Sequence, residues 1–176
     1  MRKLEHEEIP RISPSDLRVA QRYPISILLE DIRSAHNVGS IFRTADAVRA
    51  ERVILAGVTA SADHKGVHKS ALGAQDAVPW IHTTDPVTTI RQAKSEGTTV
   101  VGVEITDSPV DIKQFGMEIF PIMLVVGNEL TGISEHVLAE CDYAIELPQF
   151  GMKQSLNVSV AAGIALYDIL RVYLGQ

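Results

Sequence analysis

Three short segments place polar side chains beside glycines at the ends of apolar runs. In "EDIRSAHNVGSIFRTADA" (30–47), Asn37 and Gly39 fall where an extended run gives way to helical spacing, and Asn37 suits a helix N-cap. Arg43 follows. At 100° per residue it lies roughly 160° from the centre of the stripe formed by Val38, Ile41, Phe42, Ala45 and Val48, so it points away from the local core. Two readings stay open: a surface arginine paired with Asp46, or a functional side chain of a site. In "IMLVVGNELTGIS" (122–134), Gly127 and Gly132 bracket Asn128 and Glu129. A carboxylate just past a buried strand is costly without a partner, so Glu129 is either a braced site residue or a cap or loop group. In "LPQFGMKQSLNVSVAAGIALYDIL" (147–170), Ser155 is placed to cap the last helix and Asn157 to lie in its first turn. The unpaired N–H groups there suit an anion or a neutral acceptor.

Elements must bring these segments together. "ISILLEDI" (25–32), "RVILAGV" (52–58), "TTVVGVEI" (98–105) and "PIMLVVGN" (121–128) are continuous apolar runs, the pattern of strands covered on both faces. "YAIELP" (143–148) is a shorter candidate. Helical spacing recurs over 38–48, over "VTTIRQAKSEG" (87–97) with its closing Gly97, and over "SEHVLAEC" (134–141) opened by Ser134. The last and longest helix spans 156–174. Alternation of this kind predicts an α/β fold: a mostly parallel sheet with helices on both faces. Ligands of such sheets bind beyond the carboxyl ends of the strands, where all three polar segments fall. The last helix is apolar around most of its circumference, which a second copy of the chain would cover, so a homodimer through 156–174 is expected.

The chain has 176 residues, 45% of them hydrophobic, enough for one full-sized core. We divide it into an N-terminal arm (1–24), with Pro10, Pro14, Pro24 and a short helix expected over 15–21, and one domain (25–176). The single cysteine, Cys141, excludes an internal disulfide and a multi-cysteine zinc site, and reads as a buried helix-end residue. His64 and His68 stand four residues apart and His82 lies further on, but no His-Glu-x-x-His pattern occurs, so no metal is expected. Neither a signal peptide nor a membrane span is indicated, which suits a cytoplasmic protein. The net charge of −6 disfavours a broad nucleic-acid surface. The bases are uneven, however: residues 1–52 hold nine of the 16 Lys and Arg residues.

Taken in this order, "HNVGSIFRTADA", "VVGNELTGIS" and "IELPQFGMKQSLNVSVAAGIAL" resemble the three motifs of the SpoU (TrmH) family of RNA ribose 2′-O-methyltransferases. "HKSALGAQDAVPW" (68–80) resembles that family's mid-chain segment, and the resemblance covers residues 25–174. It implies a SPOUT-type fold with a C-terminal trefoil knot, homodimers, and S-adenosylmethionine as cofactor. It also implies a cofactor pocket at Leu124, Val125, Val126, Gly127, Leu147, Ser155 and Leu156. Asn37, Arg43, Glu129, Ser155 and Asn157 match the family's functional positions. RNA is the implied partner, with Arg2, Lys3, Arg11, Arg18, Arg22 and Arg33 as candidate contacts. A guanosine of the tRNA D-loop is the first substrate to consider. Ribosomal RNA, or a non-catalytic RNA-binding assembly role, are the alternatives. The absence of a Gly-x-Gly-x-x-Gly fingerprint sets aside the Rossmann-type methyltransferase site.

Overall fold

The structure, a computed structural model, describes residues 1–10, 12, 16 and 20–176. Arg11, Arg18 and most of the helix expected over 15–21 lie outside the described residues. Apolar runs form the sheet strands β1 (Tyr23–Glu30), β2 (Ala50–Ala56), β4 (Thr99–Val103) and β5 (Ile122–Val126), joined by the shorter β3 (Trp80–Thr83) and β6 (Tyr143–Ile145). Their order is β3-β2-β1-β5-β4-β6, and every pairing is parallel. The expected α/β architecture is observed.

Strand alternation splits the core in two, as runs buried on both faces require. Ile25, Ile27 and Leu29 of β1 join Val53, Leu55, Leu124 and Val126 in one cluster. Leu28, Ile54, Met123 and Val125 point to the other. The first face is covered by α1 (Ala35–Ala47), α2 (Lys65–Ala71), α3 (Ala74–Ala77) and α6 (Val158–Leu174) through Phe42, Val67, Ala74 and Leu166. The second face is covered by α4 (Pro86–Ser95) and α5 (Glu135–Leu138) through Ile90 and Val137. No helix among the described residues is long and apolar enough to cross a membrane.

β1 ends at Glu30 rather than Ile32 because Asp31 turns into the left-handed region (φ 51). Its Oδ1 accepts from the Val58 amide at 2.8 Å. β3, α2 and α3 were not among the expected elements. β3 is four residues long and exposes Ile81, and α2 buries only Val67 and Ala71, too few positions for a periodicity. His64 has a local role, since its Nδ1 accepts from the Gly66 amide at 3.0 Å and so caps α2. Among the described residues no group of three or more His, Cys, Asp and Glu side chains is arranged to hold a metal.

Candidate functional site

The site forms where β5 is inserted between β1 and β4 in the sheet, although β4 precedes it in the chain. The carboxyl ends of β4, β5 and β6 and the start of α6 enclose a cavity of about 500 Å³. That is within the range of about 300–1,000 Å³ typical of small-molecule sites. Val103, Val126, Ile145, Leu147 and Leu156 make its apolar wall, and Glu104, Asn128, Glu129 and Ser155 its polar edge.

After Gly127 the chain folds into a tight loop in which Asn128 and Gly132 exchange backbone hydrogen bonds of 3.0 and 2.9 Å. Gly127 is required there: a Cβ would lie 2.2 Å from both Gly132 C and Ile133 N. Carboxylates hold the end of this loop. Ile133 N donates to Glu104 Oε2 at 2.9 Å, and Ser134 N donates to the buried Glu30 at 2.9 Å. Ser134 therefore sits at the N-cap of α5 without a side-chain cap bond, its hydroxyl donating to Glu30 at 2.5 Å instead. At the other end, Asn128 Nδ2 donates to Asp31 O at 2.8 Å and ties the loop to β1.

Glu129 joins all three motifs. Its carboxylate accepts from Arg33 N (2.9 Å), Ser34 N (3.0 Å) and Asn37 Nδ2 (2.9 Å). Asn157 Nδ2 in turn donates to Asn37 Oδ1 at 3.1 Å. The chain Asn157–Asn37–Glu129 thus connects the starts of α6 and α1 to the β5 loop. Partial desolvation pushes the Glu129 pKa up, but the donors from Arg33, Asn37 and Ser34 outweigh it, and the net shift is downward. A depressed carboxylate contributes bracing that is complete above its unfolded value, near 4.3, and is lost as pH falls through its folded value. Ligand affinity at the cavity is expected to decline as pH falls through that depressed folded value, and Glu129→Gln to weaken binding at neutral pH and flatten that acid limb. Calorimetric titration with S-adenosylmethionine across pH checks this; an unchanged acid limb in the variant would assign it to another group.

Two caps differ from expectation. The N-cap of α1 is Ser34, whose Oγ accepts from Asn37 N at 3.4 Å, so Asn37 lies inside the helix with its amide free to reach Glu129 and Asn157. The N-cap of α6 is Asn157, whose Oδ1 accepts from Ser159 N at 2.9 Å, and Ser155 precedes the helix on the cavity wall. The helix itself begins at Val158, not Leu156. Of the residues named for a cofactor pocket, Val126, Gly127, Leu147, Ser155 and Leu156 line this cavity. Leu124 and Val125 do not: both are fully buried inside β5, one on each face of the sheet, and only the strand end reaches the crevice.

Arg43 is exposed on α1 and makes no ion pair or hydrogen bond among the described residues. The pairing with Asp46 is not formed. Burial pushes the Asp46 pKa up, and the nearby charge of Arg22 pulls it the other way. Arg22 itself donates to Ala50 O (3.1 Å) and Ala77 O (2.6 Å), at the amino ends of the strands. The guanidinium of this candidate RNA contact is thus engaged by backbone at the end of the sheet opposite the cavity. Arg2 is paired with Glu8 at 2.6 Å, Lys3 is exposed, and Arg33 is exposed at the mouth of the site. The residue that sequence reasoning missed is Glu104. Its place at a strand end was a signal, but its nearness to the motifs follows only from β4 lying beside β5. Cys141 is half-buried, and burial followed by the Asp142 charge pushes its thiol up to about 11, which makes it inert rather than nucleophilic.

The chain is similar to known proteins in sequence and in fold. Residues 24–167 match the SpoU rRNA methylase family. A putative TrmH family tRNA/rRNA methyltransferase of Bacillus subtilis is 34% identical over 148 residues, covering 84% of this chain and 59% of the relative. The chain thus spans somewhat under two thirds of the length of such curated relatives. The crystal structure of the A. aeolicus TrmH/SpoU tRNA modifying enzyme superposes with a TM-score of 0.82 at 29% identity, over 92% of this chain and 83% of that one. An AdoMet-bound rRNA methyltransferase from Sinorhizobium meliloti gives 0.79 at 30% identity, over 93% and 62%. With its motifs gathered around one cavity and the family match spanning nearly the whole sheet, the chain belongs to the SpoU methylase family.

Proposed function

We propose that this protein transfers a methyl group from S-adenosylmethionine to a ribose 2′-hydroxyl of RNA, with tRNA, and first a D-loop guanosine, as substrate, in the cytoplasm. The observation that carries the reading is the hydrogen-bonded chain Asn157–Asn37–Glu129, which joins three separate motifs at the edge of one cavity. The cavity fits the cofactor: its volume is adequate, its wall is apolar, and at Gly127 the chain packs so closely that no side chain is admitted. Relatives of the same fold have been crystallised with AdoMet bound. Val126, Gly127, Leu147 and Leu156 would hold it, with Glu129 and Asn37 bracing the loops.

When bound, the cofactor supplies a methyl group on a sulfonium, an already activated leaving group. The protein has to position a hydroxyl for in-line attack and accommodate the charge that develops on it. Positioning alone can lower the barrier by up to about 7–11 kcal/mol. Guanidinium stays protonated in proteins, so Arg43 is not a literal base. It holds the phosphate beside the target ribose and stabilises the developing alkoxide, while the proton passes to that phosphate or to water. Ser155, on the cavity wall, orients the ribose. We include in the proposal the trefoil knot expected of this fold, with the 128–132 and 147–157 loops as its cofactor-facing parts.

The proposal extends to a homodimer. Val160, Ile164 and Tyr167 are 39–49% exposed along one side of α6, while Ala162, Ala165, Leu166 and Ile169 face the core. An exposed apolar stripe on a terminal helix suits a two-fold copy of itself. Val160→Asp with Ile164→Asp is expected to sediment as a monomer where the parent sediments as a dimer; a parent that is monomeric at micromolar concentration would refute the interface. The function is tested with tritiated S-adenosylmethionine and unmodified total tRNA, followed by nucleoside mass spectrometry. One new 2′-O-methyl nucleoside is expected. Cofactor binding without transfer to tRNA or ribosomal RNA would point instead to a non-catalytic RNA-binding role.

A further inference from the structure

The loop between β6 and α6 divides its side chains. Gln149, Gln154 and Ser155 line the cavity, and Gln149 is held by donating its Nε2–H to Leu147 O at 2.8 Å. Phe150 and Met152 do the opposite, at 96% and 89% exposed, with Lys153 exposed beside them. A phenylalanine this exposed loses the favourable burial of its ring, and nothing in the fold explains its presence. Gly151 between the two has neither a positive φ nor any neighbour within 4 Å of a built Cβ, so the tip stands clear of the rest of the fold.

We infer that Phe150 is the stacking platform for a nucleobase at or next to the methylated ribose, with Lys153 on its phosphate. The inference rests on the RNA-methyltransferase reading above. A ribose reaching this cavity must leave its helical stack, and its base then needs a new π-face; an aromatic ring at the mouth of the site supplies one. The charge balance points the same way. At −6 overall, the protein cannot gain its RNA affinity from a general basic surface, so a neutral stacking contact carries more of it. The surface is a protruding loop tip continuous with the cavity, which favours an inserted base over a flat protein partner.

The test compares the parent with Phe150→Ala, Phe150→Tyr and Phe150→Trp on unmodified total tRNA. Phe150→Ala should lower kcat/KM for tRNA by about 5- to 150-fold, mainly through KM, with S-adenosylmethionine affinity and sedimentation unchanged. Phe150→Tyr should retain most activity. The added tryptophan emission of Phe150→Trp, read against Trp80 in the parent, should be quenched by tRNA. The inference is overturned if Phe150→Ala matches the parent. It is equally overturned if cofactor affinity falls with kcat/KM, placing the ring on the cofactor, or if the dimer dissociates, placing it on a second subunit. A parent that transfers no methyl group would instead remove the proposed function, and the tRNA quench of Phe150→Trp would still decide whether the ring meets a base.

Discussion

Arg43→Ala is expected to lower kcat for methyl transfer by about 10²–10³ while leaving the fold and the cofactor site intact. The two halves of this result come from different facts. Arg43 is exposed and holds no partner among the described residues, so truncation removes no packing and leaves no buried group unsatisfied. Surface changes of that kind stay within about 0.5 kcal/mol, and the melting temperature should barely move. The catalytic loss follows from the charge that attack creates. The hydroxyl becomes an alkoxide in the transition state, and a fixed cation is of greatest value where charge develops rather than where it already exists. Arg43→Lys keeps the charge but loses the planar fork that grips phosphate in two places, so it should recover only part of the rate. Rate measurement with tritiated cofactor, beside thermal melting and cofactor titration, separates the parts. A variant that turns over at near-parental rate would remove Arg43 from the chemistry.

Much of this arrangement was legible before the structure. β1, β2, β4 and β5 announce themselves because strands buried on both faces must be apolar at every position. β3 could not, since an edge strand of four residues with half-exposed side chains satisfies no pattern. In the site, residue types were readable and their exact stations were not. Ser34 and Asn37 are both good cap residues, and so are Ser155 and Asn157; spacing alone cannot tell which member of each pair starts the helix. The choice has consequences. With Ser34 as cap, Asn37 is released to bridge Glu129 and Asn157, and with Asn157 as cap, Ser155 is released onto the cavity wall. Glu104 was hidden for a topological reason. Nothing local in "GVEITD" shows that its strand lies beside β5, because β5 is inserted between strands that precede it in the chain.

The same insertion makes Gly127 the least replaceable residue of the site. Gly127→Ala should abolish measurable S-adenosylmethionine binding, a loss of more than about 100-fold, and cost about 1–3 kcal/mol of stability. A Cβ there would lie 2.2 Å from Gly132 C, 2.2 Å from Ile133 N and 2.3 Å from Gly132 O. All three are backbone atoms, so no rotamer change relieves the overlap. Nor can the loop drift aside at small cost. It is held across its base by the Asn128–Gly132 bonds, on one side by Asn128 Nδ2 on Asp31 O, and on the other by Glu104 and Glu30 on successive amides. Making room means breaking some of these, and each buried donor left unpaired costs about 1–3 kcal/mol. Gly151→Ala is the matched control. Its Cβ would meet nothing within 4 Å, so cofactor affinity and stability should stay near parental values. Calorimetric titration and denaturant unfolding of the two alanine variants read both quantities. Parental affinity in Gly127→Ala would mean that the cofactor does not depend on the β5 loop, and that the 500 Å³ cavity is not where it binds.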